Sequence, residues 1–196
     1  RSTPVNDAPV ATGDAYTVAE GGTLTIAAPG ILGNDNDPEG AALTVVLVSG
    51  VSNGSLTLSG NASSGILSHD IFDGSFSYIH DGGETTGDVF TYRANDNLAD
   101  SNVATVTITI TPVNDAPVAT GDSYSVGEGD ILNVNTASGL LINDTDAEGD
   151  QLKVALVTGV KHGALVLTAD GSFSYTHGGS ETTGDSFTYK ANDGKA

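Results

Sequence analysis

An all-β fold, built as two tandem Greek-key β-sandwiches, follows from three features of the sequence. The first is a duplication: TPVNDAPVATGDAYTVAEG, from Thr3, returns as TPVNDAPVATGDSYSVGEG, from Thr111. The shift that carries Pro4 onto Pro112 is far longer than the units of about 20–50 residues in a solenoid, so the copies are whole domains. The second feature is apolar alternation at period two, with no segment showing the i, i+3, i+4, i+7 spacing of a helix. The third is punctuation by Asn53-Gly54, Asp73-Gly74, Asp170-Gly171 and Asp193-Gly194. Asn, Asp and Gly accept positive φ at little cost, so these pairs mark hairpins and strand ends. About seven short strands per hundred residues, with turns this frequent, specify a sandwich of Greek-key type.

The strands follow in order. In the first copy, alternation predicts strands over 42–48, 56–58, 75–79, 89–94 and 103–111. The last of these, VATVTITIT, sends Val106, Ile108 and Ile110 to one face and Thr105, Thr107 and Thr109 to the other. Such β-branched residues suit a half-buried pleated surface. The counterparts in the second copy are 152–157, 165–167, 172–176 and 186–191. Phe76/Tyr78, Phe90/Tyr92, Phe173/Tyr175 and Phe187/Tyr189 stand at i, i+2 and face one side of their strands. They are read as core between sheets, with a sugar-stacking platform as the alternative. His80 and His177, each two residues after a strand Tyr, are read as surface or turn residues.

The domains are expected at 1–111 and 112–196, with an inserted loop over 59–72 of the first copy. The second copy stops soon after Asp193, where the first runs on through 103–111. It is therefore expected to lack its last strand and to present an open edge able to pair with another chain.

Charge narrows the function. The chain carries 25 acidic and 6 basic side chains, for a net charge of −19. Such a chain cannot neutralise phosphates, which excludes nucleic acid and disfavours an anionic membrane surface. Cysteine is absent, so neither a disulfide nor a thiolate metal site is available. No apolar run approaches the roughly 18 residues of a membrane span. GVSNG, from Gly50, satisfies G-x-S-x-G, but a nucleophile elbow needs a helix after it and none follows. No acid–base pair stands apart from the general acidity, and the chain is read as a non-enzyme.

Cations are the natural partners of such a chain, and two loops are built to meet them. NDNDPEG, from Asn34, and NDTDAEGD, from Asn143, place Asp35, Asp37, Glu39 and Asp144, Asp146, Glu148 at alternate positions. Calcium takes six to eight hard oxygen ligands, and an Asp-x-Asp loop turned by a following Gly aims two carboxylates at one point. The EF-hand is excluded, because Val46 and Ala155 stand where its bidentate Glu belongs. The alternative reading is a plain turn between strands.

Four motifs, each present twice, carry a family resemblance over essentially the whole chain. They are the PVNDAP joint, the N-D-x-D-x-E-G loop, the D-G-S-F-S-Y hairpin and the F-T-Y-x-A-N-D strand. Together they resemble cadherin-like/immunoglobulin-like extracellular repeats, in particular the bacterial cadherin-like (VCBS/RTX-type) tandem repeats of large secreted adhesins. The resemblance implies calcium (Ca2+) at the joint between domains. Its implied ligands are Glu20 from the first strand, Glu84 before the F strand, Asp96 after it, Asn114 and Asp115 from the linker, and Asp144, Asp146 and Asp150 from the next loop. The same pattern in the first copy gives Asn6, Asp7, Asp35 and Asp37, with Ala41 in the place of Asp150. Pro112 departs from the family linker, where its first Asp belongs.

The function implied is a calcium-rigidified spacer or stalk in a bacterial adhesin, secreted or on the cell surface, acting in cell-surface or biofilm adhesion. Its partners are neighbouring repeats of the same chain, and the chain itself is expected to be monomeric. Two alternatives are a carbohydrate-binding module for exopolysaccharide or a cell-surface glycan, and an accessory repeat of a secreted polysaccharide-degrading enzyme.

Overall fold

The computed structural model describes residues 5–60 and 72–195. Two compact units divide the chain, Arg1–Val113 and Asn114–Ala196. The expected insertion at 59–72 falls mostly on 61–71, outside the described residues. No helix among the described residues is long and apolar enough to cross a membrane, which says nothing of a β-barrel.

The first unit contains β1 (Asp14–Ala19), β2 (Thr23–Ile26), β3 (Thr44–Ser49), β4 (Gly54–Leu58), β5 (Phe76–His80), β6 (Gly87–Asn95) and β7 (Ala104–Thr111). One sheet has the order β1-β7-β6-β3 and the other β2-β5-β4. Only β1 and β7 run parallel; the remaining pairs are antiparallel. β7 alternates as its sequence requires, with Val106, Ile108 and Ile110 inside and the threonines outside. Each aliphatic side chain so buried stabilises by about 1.5–3 kcal/mol.

The aromatic pairs of this unit are core. Phe76, Tyr78, Phe90 and Tyr92 are at most 1% exposed, which leaves no stacking platform among them. Tyr16, Phe76 and Phe90 meet edge to face, with ring centres 5.3 and 5.4 Å apart. Both buried phenols find partners, as burial demands. The Tyr78 hydroxyl lies 3.0 Å from the Asn53 carbonyl oxygen and 3.1 Å from Asp88. The Tyr92 hydroxyl lies 2.6 Å from the Ile31 carbonyl oxygen and 3.0 Å from Asp35. Asp88 also accepts the backbone N–H groups of Ser52, Asn53 and Val89. Burial pushes its carboxyl up, but these donors outweigh burial and hold it below the ordinary value.

His80 corrects its sequence reading, because it is only 3% exposed. Its Nδ1 accepts the backbone N–H groups of Gly21 and Gly82, and its Nε2 pairs with the Thr85 hydroxyl. The ring staples two turns together.

The second unit contains β8 (Ile131–Val134), β9 (Lys153–Thr158), β10 (Gly163–Leu167), β11 (Phe173–His177) and β12 (Thr188–Asn192). The order β10-β11-β8 repeats the three-stranded sheet of the first unit, while the other sheet is reduced to β12-β9. Residues 122–127, DSYSVG, match β1 in sequence but form no strand. In the first unit the sole ladder partner of β1 is β7, and the second unit has no counterpart of β7. The second core is correspondingly thinner: Val134, Leu140, Phe173 and Tyr175 are buried, while Phe187 and Tyr189 are only partly covered.

Candidate metal centre

The acidic loop of each unit closes on that unit's own first residues. In the second unit a two-way backbone bridge joins Val118 and Thr145, at 2.8 and 3.0 Å, and lays the linker along the loop. Gly149 takes φ +73°, the left-handed turn that lets the loop double back. Its neighbour Asp150 then donates its N–H to Asp146 Oδ1 at 2.9 Å. Asp115 donates its N–H to Glu148 Oε1 at 2.8 Å, and the Asn114 amide donates to Asp193 Oδ2 at 2.7 Å. Asp193 follows β12 and enters the cluster from the far end of the unit's sequence. Carboxylate oxygens of Asp146, Asp150 and Asp193 lie within 4.8 Å of one another.

The electrostatics of this cluster are unbalanced. Unit charges about 4 Å apart repel by about 1 kcal/mol in water and about 4 kcal/mol in a protein-like medium. Four buried side-chain oxygens here have no hydrogen-bond partner: Asn114 Oδ1, Asp144 Oδ2, Asp146 Oδ2 and Glu148 Oε2. Buried polar atoms are almost always paired, and each left unpaired costs about 1–3 kcal/mol. Lys195 supplies one cation, its Nζ donating to Asp150 Oδ2 at 2.6 Å. All four orphan atoms are oxygens, and the donor set is wholly of the hard type. These residues therefore fit a calcium ion.

The first unit repeats the frame with fewer charges. Val10 and Asn36 form the two-way bridge at 2.7 and 3.0 Å, and Gly40 takes φ +74°. Asn6 donates to Asp96 Oδ2 at 2.8 Å, and the Asp7 N–H to Glu39 Oε2 at 3.2 Å. Ala41 donates its N–H to Asp37 Oδ1 at 2.8 Å, keeping the turn but bringing no carboxylate. Asp37 Oδ2 is the one orphan oxygen among the described residues of this unit.

The predicted residues divide on this geometry. Asn114, Asp146 and Asp150 converge with Asp193, which sequence reasoning missed; Asp115 joins through its backbone. Asp144 sits one step aside, where its Oδ1 takes the Thr120 N–H at 2.8 Å and lies 3.2 Å from the Tyr189 hydroxyl. Asp35 does the same work, held by Thr12 and Tyr92. Asp96, expected among the joint ligands, is engaged by Asn6 and by the N–H groups of Leu98 and Ala99 in the first unit's own cluster. Those backbone and amide donors hold its carboxyl below the ordinary value. Glu20 accepts the Val113 N–H at 3.1 Å. Glu84 lies in the stretch before β6, outside both clusters.

The fold and these clusters define a class: an acidic, cadherin-like β-sandwich repeat with an oxygen-lined pocket at the start of each unit. The chain belongs to the bacterial cadherin-like domain family, which matches residues 6–112 and 114–196. The protocadherin gammaB4 extracellular domain aligns over 97% of this chain and 33% of its own, with a TM-score of 0.55 and 15% identity. Mouse cadherin-23 EC22-24 aligns over 95% of this chain and 65% of its own, with a TM-score of 0.52 and 18% identity. At those identities the likeness is one of fold. In sequence, extracellular matrix protein 3 of Lytechinus variegatus is 33% identical over 135 residues, 60% of this chain and 4% of the relative. The chain thus spans a small fraction of that relative's length.

Proposed function

We propose that the chain is a calcium-stiffened, non-catalytic spacer from a large extracellular or cell-surface bacterial protein. The observation that carries this reading is the set of four buried, partnerless oxygens on Asn114, Asp144, Asp146 and Glu148. Asn114, Asp146, Glu148, Asp150 and Asp193 are the proposed first ligands of the ion in the second unit, with Asp115 and Asp144 beside them. Asn6, Asp7, Asp37 and Asp96 form the weaker counterpart in the first, next to Asp35. Glu20 and Glu84 stand as further ligands on the family resemblance.

Asn114 and Asp115 are the first residues of the second unit. An ion binding them to the 143–150 loop fixes the path by which the chain enters that unit. Without it, carboxylate repulsion favours a splayed linker. The extracellular setting is supported by the family match and by the matrix relative. Glycan binding, the second class of function, loses its proposed platform in the first unit, where the aromatic pairs are buried.

Thermal unfolding in calcium and in chelator tests this. Extracellular modules hold calcium with Kd of about 0.1–1 mM. At ten times Kd the ion adds about 1.4 kcal/mol, a rise in Tm of roughly 5–10 °C for a unit of this size. Asp146→Ala should remove most of the rise; superimposable curves with and without chelator would sink the reading. Asp146 is a cleaner target than Asp144, which also positions Tyr189.

A further inference from the structure

The second unit carries an apolar cleft of about 740 Å³ between residues 119–126 and 184–189, with Val126, Leu140, Phe173, Phe187 and Tyr189 among its walls. The first unit shows what belongs there. Its β7 lies between β1 and β6, parallel to the former with Tyr16 opposite Ile108. It is antiparallel to the latter with Phe90 opposite Val106. Both flanking sequences recur in the second unit: DSYSVG at 122–127 for DAYTVA, and GDSFTYKAN at 184–192 for GDVFTYRAN. Without a strand between them, 122–127 is not in a ladder. β12 begins only at Thr188, whereas β6 begins at Gly87, the counterpart of Gly184. Two backbone edges and one apolar floor are thus open along a single line, and Tyr124 is 37% exposed above them.

We propose that this cleft is a strand-acceptor site, and that it takes an extended peptide segment of β7 chemistry from a separate polypeptide. The segment has β-branched apolar residues at alternate positions and threonines between them. It seats parallel to 122–127 and antiparallel to 184–191. Main-chain hydrogen bonds supply affinity along both edges, and the alternate side chains supply register. The cleft is walled by the second unit's core, away from the metal centre, so this inference is independent of calcium.

The test adds a synthetic peptide of sequence VATVTITIT, with lysines at both ends for solubility, to the full chain. Amide hydrogen exchange is then read segment by segment. The expected result is exchange slowed at least tenfold in 122–127 and 184–188, with one peptide bound per chain and no change around β1 or β6. The same peptide carrying Val106→Lys and Ile108→Lys should give no protection. Equal protection by the lysine-bearing peptide, or none by either, overturns the proposal. So does protection that appears without peptide as chain concentration rises, because the occupant is then a second copy.

Discussion

The two units are near-copies in sequence and differ in what surrounds each copied part. In the first, DAYTVA is a strand and FTYRAN lies in a fully buried ladder, because β7 runs between them. In the second, DSYSVG forms no strand and Phe187 is only partly covered. Identical local propensity gives different local structure, so strand formation at these positions belongs to the pairing and not to the hexapeptide. At the acidic loops the contrast reverses. The second unit, with Asp150 where the first has Ala41, gathers more charge and more orphaned oxygens. One unit is the better-packed sandwich and the other the better cation site.

The largest effect should come from the core. Phe90→Ala in the first unit removes a ring with no exposure and should cost about 3–5 kcal/mol. Phe187→Ala, at the same place in the thinner core, should cost clearly less; equal losses in urea unfolding would break the comparison. Next is Asp88→Ala, which strands three backbone N–H groups and the Tyr78 hydroxyl and should cost about 3 kcal/mol. Asp185, its less buried counterpart, also holds Tyr175 and the N–H groups of Lys161 and His162, and should matter less.

A smaller effect sharpens the metal contrast. Ala41→Asp restores to the first loop the carboxylate that the second already has. It should raise the calcium-dependent gain in that unit's stability by about 1 kcal/mol, read as a larger Tm difference between calcium and chelator. An unchanged difference would mean that Asp150 is not a ligand position.

The smallest effect is one of pH. Burial, then the charge of Asp35, push Asp14 up to about 6, against the Tyr92 hydroxyl, which lowers it. An acid raised by folding contributes stability in full below its ordinary value of 3.8, and loses it as pH rises through about 6. Asp14→Asn should therefore melt higher than the parent chain above pH 6 and show no such gain near pH 4. A gain that is flat with pH contradicts the assignment.

Much of the fold was legible because burial acts at period two. VTITI sorted its own side chains, and the paired aromatics named the core. β1 and β2 escaped because they are short, and because Ala15 and Ala19 give a weak outward signal. His80 escaped because a polar ring can be buried when two backbone N–H groups and a hydroxyl meet it, which no local pattern records. Asp146 and Asp150 could be read from spacing within one loop. Asp193 could not, since it reaches the cluster through folding alone; its signal was the repeated A-N-D after F-T-Y. Asp96 was read as a ligand facing the next repeat, whereas the chain folds it back onto Asn6.

Calorimetric titration of calcium into the full chain tests the central claim most directly, with Asp146→Asn and Asp37→Asn run alongside. Binding should be seen in the parent chain at Kd of about 1 mM or tighter. Its tightest phase should vanish in the Asp146 variant and survive in the Asp37 variant. No heat of binding in the parent chain, or a tightest phase that outlives Asp146→Asn, would contradict a cation held by the second unit's buried oxygens.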